Sequence, residues 1–264
     1  MLKFRYIQLM ILGFIGTGKI ASSVITGICK SKINYKKILI SQRNKKISAD
    51  LKKKFKKIVI SKTNQEIVNN SDWVFLSVTP SVGKKIIKNL KFKNKQKVIS
   101  FISTITLTQL KKMIDKKLDI VRAIPLPPIS LKKGPVPICP PNKTVKAFFD
   151  KIGTTVEIKN EKSSINFWST SGMMAPFYQL LSTMTDWLVK KGVKRNNARK
   201  YITSLFLALS EDAVVNSKRD LKYLVKESQT PKGLNEQGVK ELTKAGFYIS
   251  LEKTLNSIHK RLNK

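Results

Sequence analysis

The residues with the clearest chemical purpose stand near the N-terminus. Gly16, Gly18 and Ala21 form a G-x-G-x-x-A pattern inside the stretch LGFIGTGKIA. An apolar run, Ile7–Leu12, precedes the pattern and reads as a strand, and the residues through Ser23 read as the opening of a helix. Each residue type then answers a physical demand. Glycine at 16 lets the chain turn tightly off the strand, glycine at 18 lets a pyrophosphate reach the backbone, and alanine at 21 lets the helix lie close to the sheet. The unpaired N–H groups and positive dipole end of that helix face the phosphates. Between a strand and a helix, the pattern points to the phosphate-binding turn of a dinucleotide site.

A second position reads the cofactor. The next strand, Lys37–Ser41, ends in Ser41, Gln42, Arg43, Asn44, Lys45 and Lys46. An acid at that place holds the adenosine ribose hydroxyls and favours NAD. Here a hydroxyl and a guanidinium stand with no carboxylate, which suits a 2′-phosphate, so NADP(H) is the expected cofactor. Lysine is abundant throughout, so the missing acid, Ser41 and Arg43 carry this expectation.

The elements that must position these residues alternate. Apolar runs near Ile58–Ile60, Asp72–Pro80, Lys97–Ser103 and Asp119–Ile124 are separated by amphipathic segments at Asn64–Asn69, Ser81–Leu90 and Leu107–Ile114. That alternation predicts an α/β fold with a Rossmann-type doubly wound sheet over residues 1–160. The strand ends Ser77–Pro80, Ser103–Thr104 and Arg122–Pro125 then line the ligand crevice. The proline-rich segment Leu126–Asn142 reads as a linker or, at Val136–Cys139 where apolar residues alternate with prolines, as an edge strand. Thr144–Ile152 reads as a helix and Thr154–Ile158 as the last strand.

From Glu161 onward only helical patterns occur, so residues 161–264 form an all-α C-terminal domain. Ser163–Lys190 reads as one long helix, followed by Arg195–Asn216, Arg219–Glu227, Asn235–Gly246 and Tyr248–Leu262. Their long apolar faces exceed what so small a domain buries alone, which predicts a homodimer or higher homo-oligomer through these helices. The stripe Phe167, Met173, Met174, Phe177 and Met184 fits core or interface rather than a cofactor box.

Composition narrows the function classes. The 264 residues carry 52 Lys+Arg against 16 Asp+Glu, a net charge of +36. The excess is mostly lysine, spread along the chain in short clusters such as Lys52–Lys54, and no aromatic platform interleaved with arginine accompanies it. A general basic background, with no specific nucleic-acid partner, fits this better than a binding patch. The charged and then apolar N-terminus is broken by Gly13 and Gly16, and no stretch of about 20 apolar residues exists, so neither a signal peptide nor a membrane span is expected. Two cysteines, Cys29 and Cys139, lack metal spacing and fit a reduced cytoplasmic setting. The single histidine, His259, lies in a polar C-terminal helix. That excludes a histidine-built metal site and the usual Ser-His triad. Scattered acids argue against a paired-carboxylate hydrolase. No catalytic side chain and no metal ligand is assigned.

These pieces together resemble the pyrroline-5-carboxylate reductase family over nearly the whole chain. Leu12–Ala21 is similar to its opening motif. Asn64–Pro80, NQEIVNNSDWVFLSVTP, resembles its Asn-x-Glu segment and the strand ending in Val-Lys-Pro. Val121–Ile129, VRAIPLPPI, resembles its Arg-x-Met-Pro-Asn-Thr-Pro segment, and Ser171–Tyr178, SGMMAPFY, its Ser-Gly-Ser-Gly-Pro-Ala-Tyr. Ser228–Leu234, SQTPKGL, resembles its Thr-Ser-Pro-Gly-Gly-Thr-Thr loop. The resemblance implies an interlocked dimer that reduces a cyclic imine, 1-pyrroline-5-carboxylate, to proline by hydride transfer from NAD(P)H. It implies that Gly16, Thr17, Gly18, Lys19 and Ile20 hold the pyrophosphate, that Ser41 and Arg43 meet the 2′-phosphate, and that Asn64 touches the adenosine ribose. Val78, Thr79, Pro80 and Ser103 would flank the nicotinamide. Thr230, Gly233, Leu234 and Asn235 would seat the substrate carboxylate. This chain departs from the family at Thr79, at Leu126 and Pro127, and at Lys232, Leu234 and Asn235. The two loop threonines are absent, which leaves a different small imine or a keto or hydroxy acid as an alternative substrate. A non-catalytic dinucleotide-binding protein or a basic nucleic-acid-binding protein is the rival from another class.

Overall fold

The structure, a computed structural model, describes residues 9–114 and 117–263. Ile7 and Gln8, the start of the first expected strand, and the preceding charged residues lie outside the described residues. In chain order the elements of the first part are β1 (Met10–Ile15), α1 (Lys19–Cys29), β2 (Tyr35–Ser41), α2 (Lys45–Lys54), β3 (Ile58–Ser61), α3 (Asn64–Asn69), β4 (Trp73–Leu76), α4 (Pro80–Ile86), β5 (Lys97–Ser100), α5 (Leu107–Met113), β6 (Asp119–Ala123), β7 (Pro135–Cys139), α6 (Lys143–Phe149) and β8 (Thr154–Glu157). The strands form one sheet in the order β3-β2-β1-β4-β5-β6-β7-β8. Every pairing is parallel except that of β6 with β7. The order runs outward in both directions from β1 and β4, which makes the sheet doubly wound, as the alternation predicts.

The strands are buried on both faces, which is why they read as continuous apolar runs. Leu12, Phe14, Phe75, Ile99 and Val121 pack on one side with Val24, Ile25 and Ile28 of α1 and Phe148 and Phe149 of α6. Phe14 and Phe75 stack with centroids 4.3 Å apart. Ile15, Val74, Leu76 and Val98 face the other side with Ile67, Val68 and Leu110.

Three expectations are corrected by the structure. The first strand continues past Leu12 through Gly13 to Ile15. Gly13 is part of the strand because a Cβ there would come within 2.2 Å of Ser71 Oγ and 2.5 Å of Ile67 Cγ2, so the missing side chain lets α3 sit down on β1. Val136–Cys139 is an inner strand, between β6 and β8, not an edge. Ile124 N–H donates to the Pro137 carbonyl (3.1 Å), but Pro137 has no N–H to return, and the antiparallel ladder with β6 is short, Arg122 against Cys139 and Ala123 against Ile138. On the other side the carbonyls of Gly134 and Ile138 accept from Thr154 and Ile158. The prolines are tolerated because the ladder uses carbonyls there.

The third correction concerns the long helix. Ser163–Lys190 is two helices, α7 (Glu161–Ser171) and α8 (Met174–Lys190). Pro176 has no N–H, and its ring would strike the turn before it. The chain breaks at Gly172 and Met173 so that Pro176 falls in a first turn, where no bond is lost. The remaining helices are α9 (Arg195–Val215), α10 (Leu221–Glu227), α11 (Leu234–Lys244) and α12 (Phe247–Leu262).

The chain divides into two compact units, residues 1–167 and 168–264. In the second unit α8 packs along α9, and Arg195 pairs with Asp186 at 2.7 Å. This unit leaves much apolar surface open, including Trp187, Leu207, Leu209, Val214 and Val215. Among the described residues, no helix is long and apolar enough to cross a membrane.

Candidate functional site

The turn between β1 and α1 is built as the glycine pattern demands. Gly16 has φ +99°, a conformation that side chains resist, and a Cβ on it would meet the Ser77 carbonyl oxygen at 2.2 Å. The turn therefore presses against the end of β4. Gly18 caps α1 without any side-chain acceptor, and a Cβ there would meet nothing within 4 Å. The first N–H groups of α1 are thus left for an anion. Ala21 is fully buried against the sheet.

Beside this turn lies a cleft of 530 Å³, lined by Gly16, Thr17, Gly18, Arg43, Asn44, Lys45, Ser77, Val78 and Thr79. It opens at the carboxyl ends of β1, β2 and β4, beside the point where the strand order reverses. Two cations and no carboxylate line it. The structure thus brings together Gly16, Thr17, Gly18, Arg43, Val78 and Thr79 of the expected cofactor residues, and adds Asn44, Lys45 and Ser77. Lys19 and Pro80 are the exposed first residues of α1 and α4, Ile20 packs on the core, and Asn64 opens α3 behind the Thr63 cap. None of these four lines the cleft.

The hydroxyls of Ser41 and Thr17 bond within the protein. Ser41, expected at the 2′-phosphate, is 5% exposed, and its Oγ accepts the Gly16 N–H at 2.9 Å. The Thr17 hydroxyl, 1% exposed, donates to the Ser41 carbonyl at 3.2 Å and accepts the Asn44 N–H at 3.4 Å. A hydroxyl at the end of a buried strand turns inward when a neighbouring loop offers it an unpaired N–H. The Asn44 side chain caps α2 through the Ile47 N–H.

Arg122, expected at the crevice, is instead a buried tie. It is 2% exposed, pairs with Glu161 at the start of α7, and donates to the Ser103 carbonyl. Glu161 Oε1 also accepts the Leu107 N–H at 2.6 Å. The β5–α5 loop, which carries Ser103, is therefore held at both ends by one ion pair. Burial lowers the Arg122 pKa, and the charge of Glu161 opposes that shift. Glu161 gave no signal in the sequence, because a lone acid at a helix start is ordinary.

In the second unit, the loop before α11 bounds a cavity of 370 Å³ lined by Lys222, Val225, Lys226, Gln229, Thr230, Pro231 and Glu236. Of the expected substrate residues only Thr230 lines it. Gly233 caps α11 and donates its N–H to the Thr230 carbonyl at 2.8 Å. Asn235 Nδ2 donates to the Ser228 carbonyl at 2.7 Å, and Leu234 is 86% exposed. Glu236, missed in the sequence, accepts the Lys232 N–H at 2.6 Å and pairs with Lys240 at 2.7 Å. The Lys240 ammonium, with the Lys232 N–H, holds the Glu236 carboxyl below its usual range. Among the described residues, no group of three or more His, Cys, Asp or Glu is placed to hold a metal.

Known proteins match this architecture in both units. The family model described as "NADP oxidoreductase coenzyme F420-dependent" matches residues 11–105. The model described as "Pyrroline-5-carboxylate reductase dimerisation" matches residues 166–264. A pyrroline-5-carboxylate reductase from Pseudomonas aeruginosa is 25% identical over 261 residues, 95% of this chain and 94% of that one. The second unit matches the dimerisation domain of pyrroline-5-carboxylate reductases, and the chain is similar to such a reductase over nearly its whole length. Solved pyrroline-5-carboxylate reductases have the same fold as this chain. The enzyme from Streptococcus pyogenes superimposes with a TM-score of 0.81 at 22% identity, covering 96% of this chain and 98% of that one. The Plasmodium falciparum enzyme, solved with NADP bound, gives 0.82 at 22% identity, covering 96% and 97%.

Proposed function

We propose that the protein is an oxidoreductase acting on a CH–NH bond, which reduces 1-pyrroline-5-carboxylate to L-proline with NADPH. The observation that carries this reading is the similarity of 95% of the chain to a pyrroline-5-carboxylate reductase, together with the match of the second unit to that enzyme's dimerisation model. The cleft supports the cofactor assignment. It has the close-approach turn at Gly16, an uncapped helix start at Gly18, the cations Arg43 and Lys45, and no lining carboxylate to repel a 2′-phosphate.

In this reading the backbone of residues 16–20, from Gly16 to Ile20, holds the pyrophosphate, and Arg43 with Lys45 pairs with the 2′-phosphate. Asn64 approaches the adenosine ribose. Val78, Thr79, Pro80 and Ser103 bound the nicotinamide side. The bound nicotinamide supplies the hydride. The protein's own contribution is orientation: residues fixed on strand ends and a held loop keep the reacting partners in place. A cyclic imine gains its proton from water near neutral pH, so the chain needs no strong acid at the reacting nitrogen. Thr230, Gly233, Leu234 and Asn235 are assigned to the substrate carboxylate, and the helices of the second unit to a homodimer or larger homo-oligomer. The free cysteines Cys29 and Cys139 accord with a reducing cytoplasm.

A second reading, reduction of a different small imine or keto acid on the same framework, draws support from one place. Leu234 is exposed where a hydroxyl is expected, and the Asn235 amide already donates to Ser228. The test is loss of NADPH absorbance with pure protein and 1-pyrroline-5-carboxylate, run beside NADH and a panel of cyclic imines and keto acids. Turnover of the first substrate with preference for NADPH supports the proposal. NADPH-dependent turnover of another panel member alone supports the second reading. Absence of cofactor binding overturns both.

A further inference from the structure

We propose that Thr17 and Ser41 are positioning residues that lock the pyrophosphate turn to the β2–α2 loop, and that preference for NADPH over NADH rests on Arg43 and Lys45 without them. This inference rests on the dinucleotide reading of the cleft, and it removes Ser41 from the direct phosphate contacts.

The geometry is specific. Ser41 Oγ accepts the Gly16 N–H at 2.9 Å, the N–H of the residue whose φ of +99° and contact with Ser77 define the turn. The Thr17 hydroxyl has one proton to give and takes one, and both are used inside the protein. It donates to the Ser41 carbonyl at 3.2 Å and accepts the Asn44 N–H at 3.4 Å. Asn44 in turn starts α2 by accepting the Ile47 N–H at 3.1 Å. A chain of bonds thus runs from the turn that meets the pyrophosphate to the loop that presents Arg43 and Lys45. Both hydroxyl residues are buried, and only Thr17 borders the cleft. Arg43 and Lys45 border the cleft as well.

The lock acts on a part common to both cofactors. Gly16 and the start of α1 meet the pyrophosphate, which NADPH and NADH share. Losing the lock therefore weakens both alike. Losing Arg43 removes a partner that only the 2′-phosphate has.

The test is direct titration of NADPH and NADH, by fluorescence and without substrate, on the whole protein at a temperature well below its melting point. Thr17→Val keeps the shape and removes both hydroxyl bonds, and Ser41→Ala removes one. Each is expected to raise the Kd of both cofactors by about tenfold and leave their ratio unchanged. Thr17→Ser keeps the hydroxyl and is expected to restore wild-type binding. Arg43→Gln is expected to raise the NADPH Kd alone. If Ser41→Ala or Thr17→Val weakens NADPH and spares NADH, the hydroxyl is a phosphate ligand and the proposal is overturned. Wild-type affinity for both cofactors in folded variants overturns it as well, because a purely structural role moves only the melting temperature. If the wild-type protein binds NADH as tightly as NADPH, the NADP(H) reading fails, and the lock is still judged on the NADH Kd of Thr17→Val and Thr17→Ser.

Discussion

At the residue scale, the cofactor turn depends on one backbone conformation. Gly16 is held at φ +99° with the Ser77 carbonyl oxygen 2.2 Å from where a Cβ would sit. Gly16→Ala is therefore expected to weaken NADPH binding by at least about tenfold, because the turn must pull away from β4 to relieve the clash. Titration of the folded variant against wild type checks this. A second residue pair sets an alkaline limit. Burial pushes the Cys29 thiol up, and Tyr35, whose Oη donates to Cys29 Sγ at 3.3 Å, is also raised, chiefly by burial. Both folded values lie above the unfolded ones. The stability they contribute is therefore full below the ordinary thiol value of 9.0 and is lost as pH rises through the raised values. Melting temperatures measured from neutral pH upward are expected to fall above about pH 9, less steeply in Cys29→Ala.

At the scale of elements, a single ion pair organises the far side of the crevice. Arg122 of β6 and Glu161 of α7 together hold the Ser103 carbonyl and the Leu107 N–H. Glu161→Ala leaves a buried guanidinium without its carboxylate and is expected to cost about 3 kcal/mol of stability by denaturant unfolding. The double replacement Arg122→Met with Glu161→Leu is expected to recover most of that loss, since it leaves no buried charge unpaired. Much of the element pattern was legible in the residues. Asn64–Asn69 forms a helix with the expected bounds, with Thr63 Oγ1 accepting the Glu66 N–H. The misreadings at Val136–Cys139 and Ser163–Lys190 share a cause. Proline forbids a donor but says nothing about which neighbour takes its carbonyl, or which turn of a helix it falls in.

At the scale of the whole molecule, the second unit and the charge matter most. Val215 is 82% exposed and Leu207, Leu209 and Val214 are exposed with it on α9. A surface of this kind in a region matching a dimerisation family predicts self-association. Analytical ultracentrifugation is expected to give at least twice the chain mass of 29.9 kDa, and Leu207→Asp with Val214→Asp is expected to reduce it towards one chain. The net charge of +36 predicts binding to polyanions such as heparin at low salt. Release by about 0.2 M salt with reductase turnover unchanged would mark that binding as background.

By itself the sequence determined the order of elements, the doubly wound sheet, the glycine turn and the resemblance to pyrroline-5-carboxylate reductases. Each of these is written locally, in apolar periodicity, in residue types that a turn requires, and in motifs kept in order. Tertiary structure decided what each polar side chain does. Ser41 and Arg43 look alike from the sequence as phosphate partners, yet one turns inward to the Gly16 N–H and the other borders the cleft. Arg122 and Glu161 lie far apart in the chain and meet only once β6 and α7 are packed. A polar group settles on whichever partner the fold leaves unpaired beside it, and that partner is set by packing between distant segments.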